Sequence, residues 1–165
     1  MTKGKERKIK ALKVFLLVLV CVFLVAFAAP NANVNSYHYK NMSIYERQDV
    51  SLIFESKEEL DTYLLKFNDS DKTKEMKKDL QRFDDEYFKE NILVLVNVNA
   101  KSGSLEYNIT NVNLENEVLT ICLTSFGPTR VSHDIAFWNI FIEYKKVELK
   151  ETVVIKDGRN ISYNK

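Results

Sequence analysis

The sequence predicts an α+β protein: an N-terminal apolar helix, then one or two short helices, then a mostly antiparallel sheet of five or six strands. Three observations predict this order. An uncharged apolar segment follows a basic N-terminus, and apolar residues then recur at spacings of three and four between residues 56 and 83. From residue 91 onward they form a continuous run and then alternate with polar residues, as in strands. The 165 residues, 45% of them hydrophobic, suffice for one domain with a buried core.

The N-terminus has the pattern of a targeting segment. Residues 1–13 form a basic head, predicted to be cytoplasmic, and residues 14–29 are an uncharged signal peptide or membrane anchor. The apolar segment is about one residue longer than the usual apolar region of a signal peptide and about one shorter than the usual spanning minimum, so both alternatives stay open. Basic flanks stay on the cytoplasmic side. We therefore expect the body at the cell membrane and outside it, or secreted if the signal is cleaved.

The rest of the chain is predicted to be a polar tether over residues 30–45 and a single extracytoplasmic α+β domain over residues 46–165. Residues 31–165 hold 18 basic and 22 acidic residues, a net charge of −4. Because phosphate neutralisation dominates nucleic-acid affinity, this charge disfavours a nucleic-acid partner.

The helical part of the domain follows a short β-prone run over residues 50–55. Ser56 and Glu59 have the spacing of a capping box, which predicts a helix over residues 56–67. After a polar break, residues 73–82 can form a second helix, and a helical turn begins at Asp84.

The strand part begins at residue 92. The apolar run over residues 92–96 predicts a strand that is covered on both faces. Alternation or β-propensity predicts further strands at residues 105–109, 118–126, 135–144 and 151–156. In the long strand, Trp138 and Ile140 share one face, which we expect to lie in the core.

Few residues suggest chemistry, and no cofactor is expected. The acids Asp84–Glu86 are adjacent and cannot share one helix face, so they are interpreted as acids at a helix start. Asn68–Asp71 resembles the start of a calcium loop but lacks its Gly and its distal Glu. Cys122 and His133 could form a thiol–imidazole pair, yet a Cys inside an apolar strand is usually a core residue. The sequence therefore predicts no catalytic, metal-binding or cofactor-binding residue.

The stretch Tyr87–Val96 resembles the opening of the PrcB C-terminal-type domain, in which an apolar strand, a Gly-containing turn and an alternating strand follow one another. Here the turn is residues 101–104, with Ser-Gly-Ser in place of the family's usual Gly-Gly-Tyr, and the second strand is residues 105–112. The chain is more similar to small exported Firmicutes proteins of unknown function, which share the Ser-Gly-Ser turn and a segment like residues 134–143. The resemblance covers about residues 50–147. PrcB is an accessory subunit of an exported subtilisin-like protease complex, so the resemblance implies binding and not catalysis.

The predicted function is a non-enzymatic exported or membrane-anchored protein-interaction module, with an exported protein or protease as its partner and the membrane contacted through residues 14–29 if they are retained. Loops on such scaffolds usually carry function, so the candidate contacts are two turns that we expect to be exposed, Ser102, Gly103 and Ser104 in one and Gly127–Arg130 in the other. Two alternatives stay open. One is a small-ligand or envelope-binding domain with a cleft between helices and sheet, and the other is a hydrolase.

Overall fold

The structure is a computed structural model that describes residues 34–41, 50–68, 70–130, 132 and 134–161. Its helices are α1 (Lys57–Leu64), α2 (Asp71–Leu80) and α3 (Tyr87–Glu90). Its strands are β1 (Ser36–Asn41), β2 (Val50–Phe54), β3 (Asn91–Ala100), β4 (Glu106–Glu115), β5 (Val118–Phe126), β6 (Ala136–Lys145), β7 (Glu151–Lys156) and β8 (Arg159–Asn160). No helix within the described ranges is long and apolar enough to cross a membrane. The segment 14–29, interpreted above as a signal peptide or anchor, lies outside those ranges.

The α+β class is confirmed, but the strands form two sheets and not the one sheet predicted. The first sheet has the order β1-β6-β3-β2 and is antiparallel throughout. The second has the order β4-β5-β7-β8, and its β5 and β7 are parallel. The second sheet forms because the central strands β3 and β6 bury apolar residues on both faces. Each face then needs its own covering layer, and these layers are the helices on one side and the second sheet on the other.

The core between the two sheets is mostly aliphatic. It holds one set of alternate residues from β3 and β6 and the inward residues of β4, β5 and β7. Its fully buried members include Val94, Val96, Leu119, Ile121, Ile140 and Ile142. Trp138 packs against this core half-buried, and its indole N–H donates to the Leu105 carbonyl over 3.0 Å. The predicted shared face of Trp138 and Ile140 is therefore confirmed.

The core between the first sheet and the helices is rich in aromatic residues. It holds the other alternate residues of β3 and β6 together with the apolar faces of the helices. Its members are Phe54, Leu60, Tyr63, Leu64, Met76, Leu80, Phe83, Phe88, Leu93, Leu95 and Phe141. Buried residues from both cores alternate along β3, so its predicted coverage on both faces is confirmed.

The predicted helix starts are largely as expected. Ser56 is the N-cap of α1 and accepts from the Glu59 N–H over 3.2 Å, while Glu59 reaches back to accept from the Glu55 N–H over 2.8 Å. The second helix begins two residues earlier than predicted, at Asp71. It does so because Ser70 is its N-cap and accepts from the Thr73 N–H.

The structure corrects the middle of the predicted tether, residues 36–41. Residues 36–41, which we interpreted as part of a polar linker, form β1 and pair with β6. They were missed because their mixed composition lacks the apolar alternation of a core strand: β1 is an edge strand, and its described side chains are half-buried. His38 is likewise half-buried, with its Nε2 3.1 Å from the Ser36 hydroxyl, and burial lowers the pKa of its imidazole.

Candidate functional site

The two turns predicted as contact loops come together in the structure. The first connects β3 to β4 and contains Ser102–Ser104, and the second lies between β5 and β6. Ser132 joins them, because its hydroxyl lies 2.7 Å from the hydroxyls of both Ser102 and Ser104. The Ser132 N–H also donates to the Ser104 hydroxyl over 3.1 Å. We call this surface, made of residues 102–104, 126–130, 132, 134 and 135, the loop surface.

Ser102 is buried, which corrects its interpretation as an exposed contact residue. Its side chain is fully shielded from solvent, and its hydroxyl accepts from the Ser104 N–H over 3.1 Å. A hydroxyl that is shielded and used internally supports the turn and is not available to a partner. Gly103 and Ser104 are half-buried at the surface of the turn.

Two glycines are needed where the loops approach each other. A Cβ on Gly103 would lie 2.0 Å from Oδ2 of Asp134, and a Cβ on Gly127 would lie 2.8 Å from the Ser104 carbonyl oxygen. The Gly103 N–H donates to the Asp134 carbonyl over 2.9 Å and faces its carboxylate Oδ1 at 3.3 Å. The glycines thus permit backbone contact between loops that lie far apart in sequence.

Charged groups also hold the two loops together. The Asp134 side chain is exposed, and its pKa is lowered chiefly by a hydrogen bond from the Ser132 side chain, with smaller contributions from nearby backbone N–H groups and from the charge of Lys40. Lys40, near the end of β1, donates a hydrogen bond to the Gly103 carbonyl. The loop surface is therefore continuous with the exposed edge of β1.

The exposed part of the loop surface has apolar side chains that the sequence analysis did not select. Phe126 is 43% exposed at the end of β5, and Ile135 is 63% exposed just before β6. They lie at the two ends of the loop that carries Arg130, which is exposed as predicted. Their signal in the sequence was an apolar residue directly beside a turn, but alternation assigned both residues to strands.

The other candidate chemistry has structural roles in the described part of the chain. The Asp84 carboxylate accepts from the Tyr87 N–H over 2.9 Å at the start of α3, as expected of an acid at a helix start. In the segment with calcium-loop character, Ser70 and Thr73 form the start of α2, while Asp69 is outside the described residues. The described residues contain no group of three or more His, Cys, Asp or Glu that could hold a metal ion.

The cysteine interpretation needs a correction. Cys122 lies on β5 between Ile121 and Leu123, whose side chains fill the core between the sheets. Strand alternation therefore places Cys122 on the outer face of the second sheet, where it is half-buried and not a core residue. His133 is outside the described residues, so the predicted pair with Cys122 stays a prediction. The Ser125 hydroxyl, further along β5, lies 3.0 Å from each carboxylate oxygen of Asp157.

Comparison with known proteins adds no further assignment. No family model, no curated protein and no solved structure matches this chain significantly.

Proposed function

We propose that this chain is a non-enzymatic, extracytoplasmic protein-interaction module that binds another exported protein through its loop surface. The first partner to test is an exported protease, because that is the partner class the PrcB-type resemblance implies. The basic head and the apolar segment support an exported or membrane-anchored location.

The observation that carries the proposal is the exposure of Phe126 and Ile135 beside a loop pair fixed by hydrogen bonds. Exposed apolar side chains and arginines are enriched at protein-binding surfaces, and the loop surface carries both kinds. The hydrogen bonds of Ser132 and Gly103 hold the loops in one arrangement, so little entropy is lost when a partner binds.

The proposal is tested by affinity capture of the full chain, tagged at its C-terminus, from mildly solubilised host membranes, with and without chemical cross-linking. We expect Ile135→Ser and Arg130→Glu to lower recovery of one stoichiometric exported protein by about tenfold, the effect of losing one contact of about 1.4 kcal/mol.

Matched controls lie away from the loop surface. Leu65, at the end of α1, is 82% exposed, so Leu65→Ser removes a comparable apolar side chain. Lys145 is exposed at the far end of β6, roughly 30 Å from its start, so Lys145→Glu makes the same charge change at a distance. Equal loss for the loop variants and their controls, or no partner even after cross-linking, would contradict the proposal.

A second candidate, a small-ligand domain, rests on a groove of 380 Å³ between β2 and α1, lined by residues that include Leu52, Phe54, Thr62 and Tyr63. A cleft between helix and sheet was the requirement for this alternative. Its test is the melting temperature of the full chain in the presence of envelope fragments or lipids. A concentration-dependent rise that Thr62→Trp removes would favour this candidate over the protein-binding one.

A further inference from the structure

The outer edge of β1 presents backbone groups in a regular order. The Glu143 N–H donates to the Asn35 carbonyl over 3.0 Å, which places Asn35 in a hydrogen-bonded pair with β6. Hydrogen-bonded and non-hydrogen-bonded pairs alternate along an antiparallel ladder. The N–H and C=O groups of Ser36, His38 and Lys40 therefore face away from β6, and no strand of the described chain pairs with them.

A groove of 530 Å³ runs along this edge. One wall is β1 itself, and the other is formed by Glu75 and Asp79 of α2. Tyr39 spans the two walls, since its hydroxyl donates to the Asp79 carboxylate over 3.1 Å. Such a groove has the shape that an extended peptide fills when it adds to a sheet edge.

The charge of the groove wall is negative. Among the described side chains, no Lys or Arg forms an ion pair with Glu75 or Asp79. Arg82, one turn beyond Asp79, lies 3.8 Å from the Tyr37 ring centroid and 3.8 Å from a Glu143 carboxylate oxygen, so its charge is already matched.

We propose that the edge of β1 binds an extended segment of a partner protein as an added strand, with a Lys or Arg side chain of that segment against Glu75 and Asp79. This inference rests on the proposed function and names the kind of partner segment. The groove is continuous with the loop surface, because Lys40 lines the groove and donates to the Gly103 carbonyl.

A basic segment fits this edge better than a second copy of the chain does. In an antiparallel pairing of two β1 edges, a two-fold axis would bring the Glu75 and Asp79 walls of both copies to the same face of the joined sheet. Like charges would then meet, whereas a basic side chain neutralises the wall.

The test uses the full chain in detergent micelles and two labelled, capped peptides of about six residues, a common strand length. One peptide alternates Val with Lys, and the other alternates Val with Glu. We expect the Lys peptide to bind, the Glu peptide not to bind, and Asp79→Lys to weaken binding of the Lys peptide about fivefold. The control Glu58→Lys reverses a charge in the other groove, beside β2, and should leave the affinity unchanged.

Hydrogen exchange locates the bound peptide. The Lys peptide should slow exchange of the backbone amides in residues 36–41 and leave those in residues 50–54 unchanged. The inference would be overturned if the Lys peptide did not bind to the parent chain, or if it bound Asp79→Lys and Glu58→Lys with equal affinity. It would also be overturned if, without peptide, exchange at β1 slowed as the protein concentration rose. The last of these results would indicate a second copy as the occupant.

The two experiments distinguish failure of the β1 inference from failure of the proposed function. If the Lys peptide does not bind while capture still depends on Ile135, the inference about β1 is wrong and the proposed function stands. If the peptide binds as expected while capture is insensitive to Ile135 and Arg130, the inference stands and the loop surface is not the site of recognition.

Discussion

The two edges of the first sheet are built differently. At one edge, β2 leads through the Ser56 cap into α1, and Phe54 is 4% exposed in the aromatic core. At the other edge, none of the described side chains of β1 is fully buried, and the groove beside it has an acidic wall. The same sheet therefore ends in one edge with a buried aromatic residue and one edge whose described side chains are all partly exposed.

This difference indicates which edge of the sheet can bind a partner without disturbing folding. A residue such as Phe54 contacts Tyr63 and Phe141, with ring centroids 5.2 and 6.4 Å away, so changes there disturb folding. Tyr37 and Tyr39 also pack their rings against the aromatic core, but their hydroxyl groups lie on carboxylates, those of Glu143 and Asp79. Side chains with an apolar ring and a polar tip suit a surface that is exposed before a partner binds.

The largest expected effect tests the role of each edge in the core. We expect Phe54→Ala to lower the free energy of unfolding by about 3–5 kcal/mol, because it removes a buried aromatic ring. Tyr39→Ala, at the β1 edge, should cost about 1–2 kcal/mol. Urea denaturation of both variants measures the difference, and equal losses would show that β1 is as much a part of the core as β2.

The next effect concerns the link between β1 and the loop surface. Gly103→Ala should lower the free energy of unfolding by about 1–2 kcal/mol, because the new Cβ displaces the Asp134 carboxylate and breaks its hydrogen bonds. Adding Asp134→Ala removes the group that clashes, so the double variant should lose less than the sum of the two single losses. Strictly additive losses would mean that the loops do not contact each other as described.

The smallest expected effect is a pH dependence of folding stability that arises from His38 on β1. Burial lowers the pKa of His38 from its ordinary value of 6.5, so the unfolded chain binds the proton more readily than the folded chain does. Stability should therefore fall as the pH drops below 6.5 towards the lower pKa of the folded state, and His38 should contribute no pH dependence above 6.5. Denaturation midpoints between pH 7 and pH 5 should fall less in His38→Gln. An identical slope in both chains would show that His38 is solvated.

Elements with a strong local signal were predictable from the sequence. The capping residues Ser56 and Glu59 located α1, and the apolar run of β3 indicated coverage on both faces. Local patterns did not reveal the second sheet, because the parallel pairing of β5 with β7 joins segments separated in sequence. β1 was missed because a half-buried edge strand needs no apolar alternation.

The candidate site was predictable as two loops but not as one surface. Gly103 and Arg130 were selected as loop residues, yet only the fold shows that residues 102–104 meet Ser132 and Asp134. The burial of Ser102 and the exposure of Ile135 both depend on how the loops close, and neither follows from the residue type.

The most direct test of recognition at the loop surface is site-specific photo-cross-linking of the full chain in host cells. A photoreactive residue is placed at position 135 in one variant and at position 65 in the other, since both native side chains are apolar and exposed. We expect one dominant adduct with an exported protein from position 135 and much less adduct from position 65. An adduct of equal yield from both positions, or none from position 135, would contradict it.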